Sequence, residues 1–393
     1  MPRFDLARAR AETPGTAHVR HLNNAGAALM PAPVLAAVTR HLQREAEIGG
    51  YEAHAEAQAA IEATYDLAAR LIGARRQEIA FIENATRAWD MAFYGLAFAA
   101  GDRILTGTHE YGSNYLAYLQ VARRSGARIE VIPNDDSGAV SVAALERMID
   151  SKVRLIGITH VPTNGGVVNP AAAIGKLARA AGIPYLLDAC QSVGQMPVDV
   201  GAIGCDMLST TGRKFLRGPR GTGFLFVRSD FLERLEPPMI DVHAAEWAAR
   251  DRYVLRPDAR RFENWETGYA LRLGLGAAID YALGWGLEPI HARVRSLAED
   301  FRRGLADVPG VTIRDLGRER CGIVTFTLAG VPAPEVKKAM AARRINVHTS
   351  TVDGARIDFE KRGLDAITRA SVHYYNSEDE IAEAVAVVAA LAR

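Results

Sequence analysis

From about residue 58 to 230, short apolar runs alternate with stretches whose apolar residues recur every three to four positions. The runs "EIAFI" (78–82), "DRILTG" (102–107), "RIEVIP" (128–133), "VRLIGITHV" (153–161) and "PYLLDAC" (184–190) read as strands. Between them, "AAIEATYDLAARLIG" (59–73, closed by Gly73), "ATRAWDMAFYGLAF" (85–98), "GSNYLAYLQVARRSG" (112–126), "SVAALERMI" (141–149) and "AAAIGKLARAAG" (171–182) read as helices. This alternation predicts βαβ units, hence an α/β domain with a large, mostly parallel sheet and helices on both faces. Further on, "CDMLST" (205–210) and "TGFLFV" (222–227) read as two buried strands joined by a tight turn that carries Lys214.

Past about residue 260 the rhythm changes. Two long helical patterns (266–286 and 290–308) lead into strands near 310–315 and 321–330 and a helix at 332–344. Strands at 345–350 and 366–375 and a helix from Ser377 complete a smaller α+β unit. The expected division is an N-terminal segment, 1–30, packing near the site and the small domain, a large domain, 31–260, and a small C-terminal domain, 261–393, that starts with a long connecting helix.

Composition narrows the class. The 393 residues carry 47 basic and 46 acidic side chains, a net charge of +1, which gives no reason to expect a nucleic acid or an anionic membrane as partner. The longest apolar runs are short and alanine-rich, the N-terminus has no apolar signal region, and neither a spanning helix nor export is expected. Three cysteines, Cys190, Cys205 and Cys321, lie far apart with no C-x-x-C. They read as reduced thiols of a cytoplasmic protein rather than a disulfide frame or a metal site.

Parallel sheets place their ligands at the carboxyl ends of the strands, so the polar residues there carry the chemistry. "ENAT" (83–86) follows the first strand and opens a helix, where backbone N–H groups with Ala85 and Thr86 suit a phosphate; an ordinary Asn N-cap explains the same residues. Tyr111 ends the next strand in "HEYGSN". Asp188 ends the strand "PYLLD", a costly place for a carboxylate unless a helix N-terminus or an arginine pairs it. Lys214 reads either as a solvated hairpin tip or as a lysine held at the core edge for chemistry. One ligand would employ them all. Pyridoxal phosphate needs a lysine for an imine (Lys214), an acid at its ring nitrogen (Asp188), an aromatic ring on its face (Tyr111) and a phosphate site (Ala85, Thr86, Thr211 and Arg213).

The order of "ENAT", "HEY", "HVPTNGG", "DACQ", "STTGRKFLRGPRGTGFL", "RRFENWETG" and "RASVHYYN" resembles the class V aminotransferase family of fold type I pyridoxal-phosphate enzymes, which includes cysteine desulfurases, isopenicillin N epimerase-like proteins and C–S lyases. The resemblance runs from "LNNAGAALMP" (22–31) to the final helix. It implies that Lys214 is the Schiff-base lysine and the proton shuttle at Cα. It implies that Gln191, with Thr163 beside it, lies near the phenolic oxygen of the ring. Arg369 would bind the substrate carboxylate, with Asn24 as the next residue to try, and His348 stands near the substrate as a selectivity or proton-transfer residue or a plain polar loop residue. Thr267 would reach the phosphate of a neighbouring subunit, which implies a homodimer with shared sites.

Two departures bear on the reaction. The stretch 348–363 contains no cysteine where desulfurases carry a nucleophilic one, and Tyr111 stands where they stack a histidine. The expected reaction on an α-amino acid is therefore β-elimination from a cysteine-like or S-substituted substrate through a Cα carbanion. Transamination and epimerisation are the alternatives, with desulfuration and a non-enzymatic pyridoxal-phosphate-binding protein below them. Nucleotide binding by "GPRGTG" is a poor reading, because the turn lacks the G-x-G-x-x-G spacing and precedes a strand.

Overall fold

The computed structural model describes residues 4–392. A seven-stranded sheet forms its centre, built from β1 (Ile79–Ile82), β2 (Arg103–Gly107), β3 (Arg128–Ile132), β4 (Val153–Thr159), β5 (Tyr185–Asp188), β6 (Met207–Thr211) and β7 (Gly223–Val227), in the order β1-β7-β6-β5-β4-β2-β3. From β3 to β6 every pairing is parallel, whereas β7 runs antiparallel to both β6 and β1. The strands β1, β4, β5 and β7 read as nearly continuous apolar runs because both faces are covered. Successive residues feed opposite cores: Ile104, Leu155, Leu186 and Met207 pack in one cluster, and Leu105, Ile156, Leu187 and Leu208 in the other.

A four-stranded antiparallel sheet follows, with β8 (Val311–Ile313), β9 (Ile323–Leu328), β10 (His348–Thr351) and β11 (Ala366–Ser371) in the order β8-β9-β11-β10. The N-terminal segment joins this part of the molecule, since Arg20–His21 pairs in parallel with Ile345–Asn346 and Asn23 bridges Ser371. The helix Tyr269–Trp285 lies against the helices Ala32–Ile48 and Gly50–Ile72.

Several elements differ from the sequence pattern. The expected strand 366–375 ends at Ser371, because Val372–Asn376 leaves the sheet and buries His373 against the Phe215 carbonyl, at 2.9 Å. The sequence pattern also missed the hairpin Ala245–Leu255 and the short helix Arg356–Arg362. The link between β6 and β7 is not a tight turn but the whole excursion Gly212–Thr222.

Arg217 holds that excursion in place. It is 1% exposed and takes a left-handed backbone at φ 62°, where a residue with a Cβ is strained. Its guanidinium donates to Thr13 Oγ1 and the Tyr374 hydroxyl, each at 2.6 Å, and to the Leu29 carbonyl at 2.9 Å, over the Tyr375 ring at 4.5 Å. Its N–H closes a turn onto the Lys214 carbonyl at 2.9 Å. Removing the side chain leaves buried acceptors without a donor. Arg217→Ala should therefore lower unfolding free energy by on the order of 3 kcal/mol, read from urea denaturation of the cofactor-free protein. An unchanged midpoint would mean that the excursion holds itself.

Candidate active site

The carboxyl ends of β4, β5 and β6 open onto a cavity of about 340 Å³. The helix Ala85–Phe93 starts at its wall. Asn84 caps that helix by accepting from Arg87 N at 3.0 Å, so the N-cap reading holds. Ala85 and Thr86 nonetheless line the cavity, and first-turn N–H groups have no intrahelical acceptor, so the same residues also offer donors to an anion.

Asp188 is buried at the end of β5. Its Oδ1 accepts from Cys190 N at 2.9 Å and its Oδ2 from Asn114 Nδ2 at 3.0 Å. Its partners are thus an amide side chain and a backbone N–H, not the helix terminus or arginine expected. Thr211, Arg213 and Lys214 come from the end of β6 and the turn behind it, and Tyr111 caps the helix Gly112–Ser125, with its ring centre 6.0 Å from Lys214 Nζ. Gln191 donates to Thr163 Oγ1 at 3.3 Å and the Ala25 carbonyl at 3.1 Å, while its Oε1 is buried without a partner.

A second cavity of about 430 Å³ adjoins the first at Tyr111, Thr163, Arg213 and Lys214. Arg369 projects into it from β11 and is 5% exposed. One guanidinium nitrogen donates to Thr163 Oγ1 at 2.8 Å and another to Asn23 Oδ1 at 3.1 Å, leaving Nε unpartnered. His348, directly opposite Arg369 on β10, lines the same cavity.

Asn24 does not line it. Its side chain is fully buried and spent on the carbonyls of His21 and Ser371 and on the Tyr375 hydroxyl. Asn23 takes the place in the cavity that the sequence reading gave to Asn24. Thr267 lines neither cavity and lies beside Trp265 and Glu266. The sequence reading missed Asn23, Asn114 and Arg220 in the cavity walls.

Cations crowd this space. Burial lowers the Lys214 ammonium from its ordinary 10.5, and Arg213 and Arg369 push the same way against Cys190 and Asp188. Burial and Arg213 bring Arg369 down to about 10. Burial and Arg369 bring His348 down to about 4, so its imidazole is neutral at neutral pH. Among the residues lining the second cavity there is no carboxylate.

The stretch 348–363 forms a wall of the second cavity through His348, Ser350, Thr351 and Gly354. It is tied down behind the cavity: Asp358 meets His109 at 3.2 Å and Arg362 at 3.1 Å. Gly112 passes so close to the Asp353 carbonyl that a Cβ there would sit 2.5 Å from the oxygen. All three cysteines are buried, and burial pushes the Cys321 thiol up to about 12 and those of Cys190 and Cys205 well above their ordinary value.

The residues present fit pyridoxal phosphate. The cavity joins a lysine, a buried carboxylate and an aromatic ring to a helix N-terminus with a threonine and an arginine, and it carries an orphaned polar atom on Gln191. A family model described as aminotransferase class-V matches residues 20–383. A probable cysteine desulfurase of Methanothermobacter thermautotrophicus is 30% identical, with 92% of each chain covered. The apo structure of a cysteine desulfurase from Thermococcus onnurineus NA1 superposes with a TM-score of 0.93 at 28% identity, covering 100% of this chain and 99% of that one. A mutant of C-DES with glycine covalently linked to its pyridoxal-phosphate cofactor has a TM-score of 0.87 at 24% identity, covering 97% and 98%.

These relatives correct the expected reaction. β-Elimination, with transamination or epimerisation behind it, ranked above desulfuration because the stretch 348–363 lacks a cysteine. Proteins matching over nine-tenths of both chains are instead named as desulfurases.

The lowered pKa of Lys214 has a consequence for the protein without cofactor. The unfolded chain binds this proton at a pH where the folded chain has released it, so the charge opposes folding in full below the folded pKa, and its cost fades as pH rises from the folded pKa to 10.5. Lys214→Met in cofactor-free protein should therefore melt higher than wild type at neutral pH, with the gap closing toward alkaline pH. Equal melting curves at neutral pH would place Lys214 in a well-solvated setting.

Proposed function

Because this chain belongs to the aminotransferase class-V family and is a pyridoxal-phosphate-dependent enzyme, we propose that it removes sulfur from cysteine. The observation that carries this reading is the junction of the Lys214 cavity with a carboxylate-free cavity built around Arg369. The bound cofactor supplies an electron sink for the pair left at the substrate Cα.

The chain supplies the rest. Lys214 holds the cofactor and, when displaced, moves the proton at Cα, a role that its lowered pKa suits. Asp188 holds the proton at the ring nitrogen, with Asn114 and Cys190 N fixing its two oxygens. Tyr111 would cover the ring, Gln191 and Thr163 would serve its phenolic oxygen, and Ala85, Thr86, Thr211 and Arg213, which line the same cavity, would hold the phosphate. Arg369 forks onto the α-carboxylate, where its low exposure strengthens the pair. Asn23 orients that guanidinium, and His348 is a neutral neighbour for the side chain of the substrate.

Cys205 and Cys321 are buried and line neither cavity, and Cys190, which lines the first, has its thiol pushed well above its ordinary value by burial, so none of the three suits the role of sulfur acceptor. A thiol from solution therefore takes the sulfur: one cysteine and two thiols give alanine, hydrogen sulfide and one disulfide. In this reading the described part of the N-terminal segment packs near the site and the small domain, 31–260 form the cofactor domain and the described residues from 261 onward the smaller domain. The enzyme is a cytoplasmic homodimer in which Thr267 reaches the phosphate of a second copy.

Holoenzyme given cysteine and dithiothreitol should release alanine and sulfide in equal amounts. Pyruvate with ammonia as the products would overturn the reading. Cys321→Ser and Cys205→Ser should keep their turnover once folded, and abolished activity in either would name an internal acceptor. Arg369→Ala should lose roughly 30-fold to several-thousand-fold in kcat/KM, as for a shielded charge pair that loses one partner. Arg369→Lys should recover little of it, because a point charge does not reproduce the planar fork.

A further inference from the structure

Glu110 is buried one residue before Tyr111, and none of the roles above uses it. Its carboxyl accepts from Thr106 Oγ1 at 2.8 Å, Thr159 Oγ1 at 2.5 Å, the Tyr111 N–H at 2.9 Å and Asn114 Nδ2 at 2.9 Å. That same Asn114 nitrogen donates to Asp188 Oδ2 at 3.0 Å, so one amide bridges two buried carboxyls. Thr106, Thr159 and Asp188 belong to β2, β4 and β5, which are neighbours in the sheet. Glu110 thus gathers three adjacent strand ends and the start of the Tyr111 helix around one group.

Placing it there opposes folding. Glu110 is 4% exposed, and burial, with the Asp188 charge adding to it, raises its carboxyl to about 7. A purely structural filler at this point would avoid a second carboxyl beside Asp188.

We propose that Glu110 is a positioning residue, which holds the Tyr111 backbone and the Asn114 amide and through them sets the Tyr111 ring and the Asp188 carboxylate in register around the cofactor. The role rests on pyridoxal-phosphate binding but not on which reaction follows. It also predicts which substitution is tolerated. Three of the four donors meet Oε1, and a glutamine amide oxygen accepts those three while its nitrogen donates to Thr106 Oγ1. Glutamine therefore preserves the arrangement and alanine destroys it.

The test uses Glu110→Ala, Glu110→Gln and Asn114→Ala as full-length proteins stripped of cofactor. Each is titrated with pyridoxal phosphate in the absence of substrate, following the visible absorption and circular dichroism of the bound cofactor, with a melting curve to establish folding. Cofactor affinity should fall on the order of 10-fold to 100-fold in Glu110→Ala and Asn114→Ala, the range seen when an outer residue that orients a ligating one is lost. In the holoenzymes kcat should fall by a comparable factor while KM for cysteine stays put, because Arg369 is untouched. Glu110→Gln should regain most of both losses. Wild-type cofactor affinity in folded Glu110→Ala, or a folded Glu110→Gln as impaired as the alanine variant, overturns the proposal. If Glu110→Ala does not fold, wild-type affinity in Asn114→Ala overturns it instead. Since the titration contains no substrate, pyruvate in place of alanine as a product would leave this result standing.

Discussion

A single buried guanidinium, that of Arg217, ties the lysine turn to the rest of the molecule. It reaches Thr13 and Leu29 in the N-terminal segment and Tyr374 after β11, and its own backbone closes the turn on Lys214. Segments more than 150 residues apart in the chain therefore share one fully desolvated cation. With its donors satisfied and its face against aromatic rings, the charge tolerates burial. The strained φ of Arg217 persists because these contacts over-determine it.

Around that anchor the site concentrates positive charge where water is scarce. Arg213 and Arg369 both depress the proton affinity of Lys214, Arg213 depresses that of Arg369 and Arg220 that of Arg213, and Asp188 and the partly protonated Glu110 sit behind them. Such a cluster is poorly satisfied by the protein alone and gains most from an anionic ligand. A phosphate beside Arg213 and a carboxylate beside Arg369 would each relieve the repulsion, so ligand affinity and the instability of the empty site have one electrostatic source. From the stretch 348–354, His348, Ser350, Thr351 and Gly354 bring hydroxyls and a neutral imidazole to the cavity lining but no acid that would compete.

The chain order of apolar runs determined the βαβ core, because a strand buried on both faces is mostly apolar and a helix between parallel strands shows an apolar stripe. It also determined that Asp188 ends an apolar strand and that Lys214 lies in the polar stretch between two others. Tertiary structure alone decided which of two adjacent asparagines faces the cavity, because that depends on the bridge between Asn23 and Ser371, 348 positions apart. It decided that Asp188 is held by Asn114 rather than by an arginine, and that a buried glutamate stands behind both. It also decided that "GRKFLRGPRG" is an excursion pinned by Arg217 rather than a solvated hairpin tip. In each case the deciding contact joins residues distant in sequence, and local propensity and periodicity carry no information about such pairs.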